Sequence, residues 1–177
     1  MTEYGQVIFR EIQRFKQWWI WILVLIGPVF SWYGAYQQLI LKKPFGNNPT
    51  SDTGMFIIFI VVGILFPLFF LSIKLITEVR FDGVYIKYFP FHLSFRKITS
   101  PHEVKVYESH TYSAIKDYGG YGIRFGKKGK AYNVSGNRGI QFELLNGKKI
   151  LIGTQKPEDF LRAMTLCGFM SQSQAKE

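Results

Sequence analysis

The residues best placed to do chemistry are three lysines in one short turn. Lys127, Lys128 and Lys130 lie in the run GKKGK, where Gly126 and Gly129 leave backbone amides accessible. Cations beside accessible amides hold a lipid phosphate or another anion. The same run also reads as a solvated hairpin tip that keeps the chain soluble. Binding at such a tip is shallow and weakens as salt rises.

Other chemistry finds less to work with. On an extended strand His102, Val104, Val106, Glu108 and His110 share one face, which offers two ligands without a clear third and predicts no metal site. The run NVSGNRG, Asn133 to Gly139, is a polar turn rich in residues that accept positive φ. Its Asn133-Val134-Ser135 also fits a glycosylation acceptor, a chance match if the segment is cytoplasmic. There is no G-x-S-x-G elbow and no phosphate-binding glycine loop. Cys167 is the one cysteine, so neither an intrachain disulfide nor a cysteine-based metal site forms within one chain. No catalysis and no cofactor are expected.

The elements that must position these residues begin with a membrane anchor. Met55 to Ile73 reads MFIIFIVVGILFPLFFLSI and carries no charge. At about 1.5 Å per residue this run, as a helix, crosses most of a hydrocarbon core about 30 Å thick. Trp18 to Leu41 is a second uncharged stretch, bracketed by Lys16 and by Lys42 and Lys43. Trp18, Trp19 and Trp21 crowd one end and Trp32, Tyr33 and Tyr36 the other, as expected of interface anchors. A cleaved signal peptide is disfavoured by the length of this run and by the lack of an A-x-A cleavage pattern in SWYGAYQ.

Between the two runs, KKPFGNNPTSDTG is a short turn, so the helices are expected to be antiparallel neighbours. Pro28 and Pro67 fall inside the spans and predict kinks. Gly27, Gly34 and Gly63 permit close backbone approach without forming a GxxxG pair. No Asp, Glu, Lys, Arg or His lies within Trp18–Leu41 or Met55–Ile73, which argues for a packed hairpin over a transport path. Before the first span, Tyr4, Ile8, Ile12, Phe15 and Trp19 recur at helical spacing, predicting an interfacial helix or the start of the span itself. Arg10, Arg14 and Lys16 before the hairpin, with Lys74, Arg80, Lys87 and Arg96 after it, outnumber Lys42 and Lys43 in the loop, so both termini are expected in the cytoplasm.

Charge points the same way. The chain of 177 residues carries a net +10, with 16 Lys and Arg against 9 Asp and Glu from Thr77 onward. A basic domain tethered at a bilayer is attracted to anionic headgroups, each nearby cation contributing about 1 kcal/mol. Zinc-finger spacing, a recognition-helix pattern and a basic tail are all missing, so nucleic acid is not an expected partner.

From Glu78 the pattern changes to alternation with frequent turns. Glu78–Phe81 and Val84–Phe89 flank Asp82-Gly83, which predicts a tight hairpin. Further strands are expected at Leu93–Arg96, Val104–Ser109, Gly122–Phe125 and Ala131–Val134. Gly139–Leu145 and Lys148–Gly153 pair across Asn146-Gly147, the strongest hairpin signal in the chain. Pro157 then opens a helix with Glu158 and Asp159 in its first turn and Gly168 at its end. Phe160, Leu161, Met164 and Cys167 form its apolar face.

This layout resembles the pleckstrin-homology-like architecture of small bacterial membrane proteins. The specific likeness lies in YGIRFGKKGKAYNVSGNRGIQFELLNGKKILIGTQKPEDFLRAM, Tyr121 to Met164, which is similar to the C-terminal segment of an uncharacterised prokaryotic family of this kind. The resemblance implies a fold and a membrane setting and brings no activity with it. Phosphoinositide-binding pleckstrin-homology domains carry Lys and Arg at their first hairpin turn, whereas Asp82-Gly83 here is acidic.

The expected fold class is therefore a membrane α-helical hairpin plus an all-β/α+β soluble domain, a barrel of about seven antiparallel strands capped by a C-terminal helix. The expected domains are 1–76, with spans at about 18–41 and 55–76, then 77–170, then a disordered tail at 171–177. The expected role is an inner-membrane protein presenting a cytoplasmic interaction or scaffold module. Anionic-lipid sensing through Lys127, Lys128 and Lys130 is one alternative, and service as an accessory subunit of a membrane enzyme or transporter is another. The expected partners are membrane lipid and another protein or a second copy of the chain.

Overall fold

In this computed structural model residues 5–126 and 128–169 are described. The division between two units falls after Arg14 and after Ile73, with Phe15–Ile73 forming one unit and the segments on either side forming the other. The expected boundary at residue 76 is thus corrected: the N-terminal segment belongs with the C-terminal part of the chain. The expected tail at 171–177 lies outside the described residues, as does Tyr4.

The unit Phe15–Ile73 is a helical hairpin. Helix α1 spans Trp18–Ala35 and continues as a π-helical turn over Tyr36–Ile40. The return arm is α2 (Asp52–Ile58), a π-helical stretch over Phe59–Leu65 and α3 (Phe66–Ser72). Ser51 caps α2, its side chain accepting from the Gly54 amide at 3.1 Å. The arms Trp18–Ile40 and Asp52–Ser72, of 23 and 21 residues, are both long and apolar enough to cross a membrane. Only 28% and 11% of their most apolar stretches are buried, so most of this apolar surface faces outward, unlike that of a soluble core helix.

The other unit is α+β with two sheets. Strands β1 (Val7–Arg14), β2 (Lys74–Arg80), β3 (Gly83–Phe89) and β4 (Arg96–Thr99) form an antiparallel sheet in that order. The second sheet has the order β5-β8-β9-β7-β6, built from Val104–Thr111, Arg138–Leu144, Lys149–Gly153, Gly129–Asn133 and Gly122–Gly126. Helix α4 (Ala114–Tyr118) bridges β5 and β6, and α5 (Pro157–Leu166) closes the series.

Three expectations are corrected. The stretch expected as an interfacial helix is strand β1, with Phe9, Glu11 and Gln13 buried and Arg10, Ile12 and Arg14 exposed. A spacing of four, as between Ile8 and Ile12, fits one face of a strand as well as one face of a helix, and pairing with β2 decides the outcome. There are nine strands among the described residues in place of about seven, and the sheets do not close into one barrel. The pairing is also mixed, since β7 runs parallel to β9.

The core of this unit explains why α5 sits where it does. Phe160 is fully buried, stacks on Phe9 of β1 at 5.1 Å and lies 6.3 Å from Phe142 of β8. One aromatic ring therefore joins the edge strand of the first sheet to an inner strand of the second. Leu75, Val79, Val84, Ile86, Ile140, Leu151, Ile152 and Met164 are also buried. Each such side chain contributes about 1.5–3 kcal/mol. Gly168 ends the α5 segment with φ +76°, a conformation glycine adopts without steric cost.

Candidate functional site

The basic turn is the first place to look for anion chemistry. Lys127 lies outside the described residues. The Lys128 ammonium is 3.0 Å from the Asp117 carboxylate on α4. Lys130 stands over two rings, 5.1 Å from the centre of Phe125 and 4.8 Å from that of Tyr132. Asp117 is held below the ordinary carboxylate range, first by the Ser113 amide and then by Lys128. The fold therefore already gives Lys128 an anion and Lys130 aromatic faces.

Of the aromatic residues expected as interface anchors, Trp18, Trp19, Trp32, Tyr33 and Tyr36 are exposed. The Trp21 indole N–H donates to the Phe15 carbonyl at 3.1 Å, and its ring meets Phe70 edge-on at 5.5 Å. Trp32 turns its indole N–H across the hairpin to the Gly63 carbonyl at 2.9 Å. The Tyr33 hydroxyl accepts from Gln37 at 2.6 Å.

More charge collects on the outer face of the first sheet than in the turn. Residues alternate there, so Arg10, Ile12 and Arg14 of β1 share a face with Lys74, Ile76 and Glu78 of β2 and with Tyr85, Lys87 and Phe89 of β3. Glu78 is buried and receives Arg80 at 2.5 Å and Arg10 at 3.5 Å. Arg80 in turn lies 4.5 Å from the Tyr85 ring centre and 5.3 Å from that of Phe95. The Tyr85 hydroxyl donates to Asp82 at 2.5 Å, and Lys97 reaches the same oxygen at 3.5 Å. Burial and then that bond push the Tyr85 phenol up to about 12.

The opposite face of β1 holds a polar clamp. The buried Glu11 carboxylate accepts from the Thr154 hydroxyl at 2.5 Å and from the Gln155 amide at 2.8 Å. Gln13 donates to the Gly153 carbonyl at 2.6 Å. These bonds tie the first strand to the link between β9 and α5. Beside them, Ile8 and Phe9 face Arg162, Ala163 and Leu166 across a groove of about 360 Å³ rimmed by Arg10, Lys156 and Asp159.

Sequence reasoning missed Glu11, Gln13, Glu78 and Thr154. The one available signal was the alternation from Phe9 to Gln13, which the four-residue spacing of the isoleucines masked. His102, expected on a strand with Glu108 and His110, sits in a 3-10 turn over Pro101–Glu103 that precedes β5. A model of the family of unknown function DUF6141 matches residues 2–170. No curated protein and no solved structure matches the chain.

Proposed function

We propose, for a chain that belongs to the DUF6141 family and takes no activity from it, that the protein is an integral inner-membrane scaffold. In this reading the helical hairpin crosses the bilayer and the α+β unit is a pleckstrin-homology-like interaction module on the cytoplasmic side. The observation that carries the reading is the register Arg14↔Lys74. The chain leaves the sheet for one apolar helix and returns from the other at neighbouring positions of paired strands. Two tethers from adjacent strand positions suit display of one face to a partner. The groove between β1 and α5 is the face assigned to a protein partner. Its exposed Leu166 supplies an apolar contact, and Arg162 and Lys156 give it a basic rim.

Crosslinking from position 166 in native membranes tests this. The expected result is one reproducible adduct that Leu166→Asp abolishes while the protein stays in the membrane fraction. Failure to capture any reproducible adduct under several growth conditions overturns the scaffold reading. Labelling of single cysteines placed at each end and in the 42–54 loop tests the orientation separately.

A further inference from the structure

We propose that the end of the first sheet where β1 leaves and β2 begins is a docking surface for anionic lipid headgroups, with Arg14, Lys74 and Lys87 holding phosphates and Phe91 and Leu93 entering the apolar layer. This rests on the reading of the hairpin as membrane-spanning.

The argument starts from which cations have found anions. Along the outer face, the rows toward the β2–β3 turn are neutralised: Arg10 and Arg80 meet Glu78, and Lys97 meets Asp82. In the last two rows, at the strand ends that the chain links to Phe15 and Ile73, Arg14↔Lys74↔Phe89 and Ile12↔Ile76↔Lys87, no carboxylate pairs with a cation among the described residues. Lys74 and Lys87 have rings for neighbours, with Phe89 at 5.4 Å and Phe95 at 6.0 Å. Neighbouring strands are about 4.8 Å apart, so the three cations share one patch. Charge compensation stops at the strand ends, with Arg14 four residues before Trp18 and Lys74 one residue after Ile73. An external anion at that end completes the pattern.

The adjoining loop supplies the apolar half of the surface. Strand β3 is antiparallel to β2, so it ends where β2 begins, and the β3–β4 loop emerges at this same end. Phe91 and Leu93 in it are 59% and 76% exposed. Exposed large apolar groups at the same strand end as cations without a carboxylate are the composition of interface-bound segments. Burial, then the charges of Arg96 and Lys130, push the His92 imidazole in this loop below its ordinary range.

The test uses the full chain in lipid nanodiscs of phosphatidylcholine alone and of an equimolar phosphatidylcholine–phosphatidylglycerol mixture, read by amide hydrogen exchange over residues 91–95. Both faces of a disc meet the same solution, so insertion orientation does not enter. Each cation near an anionic surface contributes about a fivefold factor, so exchange is expected to slow by about tenfold or more in the anionic discs. R14Q/K74Q/K87Q should abolish that difference, R14K/K74R/K87R should keep it, and K128Q/K130Q should leave it unchanged. Equal exchange in the two lipids, or a difference retained by the glutamine variant, overturns the proposal. So does a wild-type difference that survives high salt, a result that stands whether or not the variant folds. A chain that fails to enter discs overturns the membrane-spanning reading along with this one, whereas an embedded chain blind to lipid charge overturns this one alone.

Discussion

The indole N–H of Trp32 donates to the carbonyl of Gly63 at 2.9 Å. That carbonyl belongs to the π-helical stretch Phe59–Leu65, just before Pro67 in the first turn of α3, a residue with no N–H to give. Trp32 supplies a donor in its place. Gly63 makes room for it, since a Cβ there would lie 2.8 Å from the indole nitrogen. Trp32→Phe should therefore destabilise the hairpin by about 1 kcal/mol, and the loss should shrink when Pro67→Ala restores the backbone donor. A double-mutant cycle of unfolding in mixed detergent micelles measures the coupling. Simple additivity of the two substitutions would refute the link to Pro67.

The Glu11 clamp should hold β1 in place. Glu11→Ala leaves the Thr154 hydroxyl and the Gln155 amide without their buried acceptor, at a cost of about 1–3 kcal/mol each. Trypsin cleavage after Arg10 and Arg14 is the readout, expected to accelerate strongly in Glu11→Ala and less in Glu11→Gln, which keeps one acceptor oxygen. Unchanged cleavage would mean that Phe9 and its stack on Phe160 suffice.

Two phenols should titrate late. Burial is the leading cause for both Tyr85 and Tyr88, and each is pushed up to about 12 from an ordinary 10. A raised folded-state value means the neutral phenol favours the native state. That contribution is complete below pH 10 and is lost as pH climbs toward 12. Absorbance titration in the tyrosinate band should show Tyr85→Phe and Tyr88→Phe each removing amplitude from the late phase only. Loss from the phase near pH 10 would contradict the burial assigned to them.

The parallel contact of β7 with β9 should be intolerant at Gly129. Its φ is +104°, and a Cβ there would strike the backbone carbonyl of Lys149. Backbone cannot swing aside as a side chain can, so Gly129→Ala should cost about 2–4 kcal/mol and lower the melting temperature of the full chain in detergent. Gly147→Ala is the comparison. Its φ is +78° but nothing lies within 4 Å, so only the conformational cost of about 1 kcal/mol applies.

Local chemistry was legible in the sequence, and distant pairing was not. Asp82-Gly83 and Asn146-Gly147 both sit at hairpin turns, because a turn is decided by the two or three residues that make it. The Pro157 helix starts at its proline for the same reason. Strand β1 was misread because its partner lies about 60 residues away across the helical hairpin, and an eight-residue segment does not announce such a partner. The basic turn looked free because Asp117, which pairs with Lys128, belongs to a five-residue helix that the glycines after it disguise as loop. The cations at the end of the first sheet were each visible as flanking charges. What gathers Arg14, Lys74 and Lys87 onto one face is the strand register.

Because the hairpin is inserted between two paired strands, the order of synthesis constrains assembly. Strand β1 is made first and stays without a partner until both apolar helices and then β2 have followed. The sheet that carries the outer basic face, the clamp and one wall of the groove is thus finished only after the whole hairpin exists. A chain interrupted within residues 15–73 leaves a lone strand with an open backbone edge, the kind of segment that proteolysis and aggregation find first.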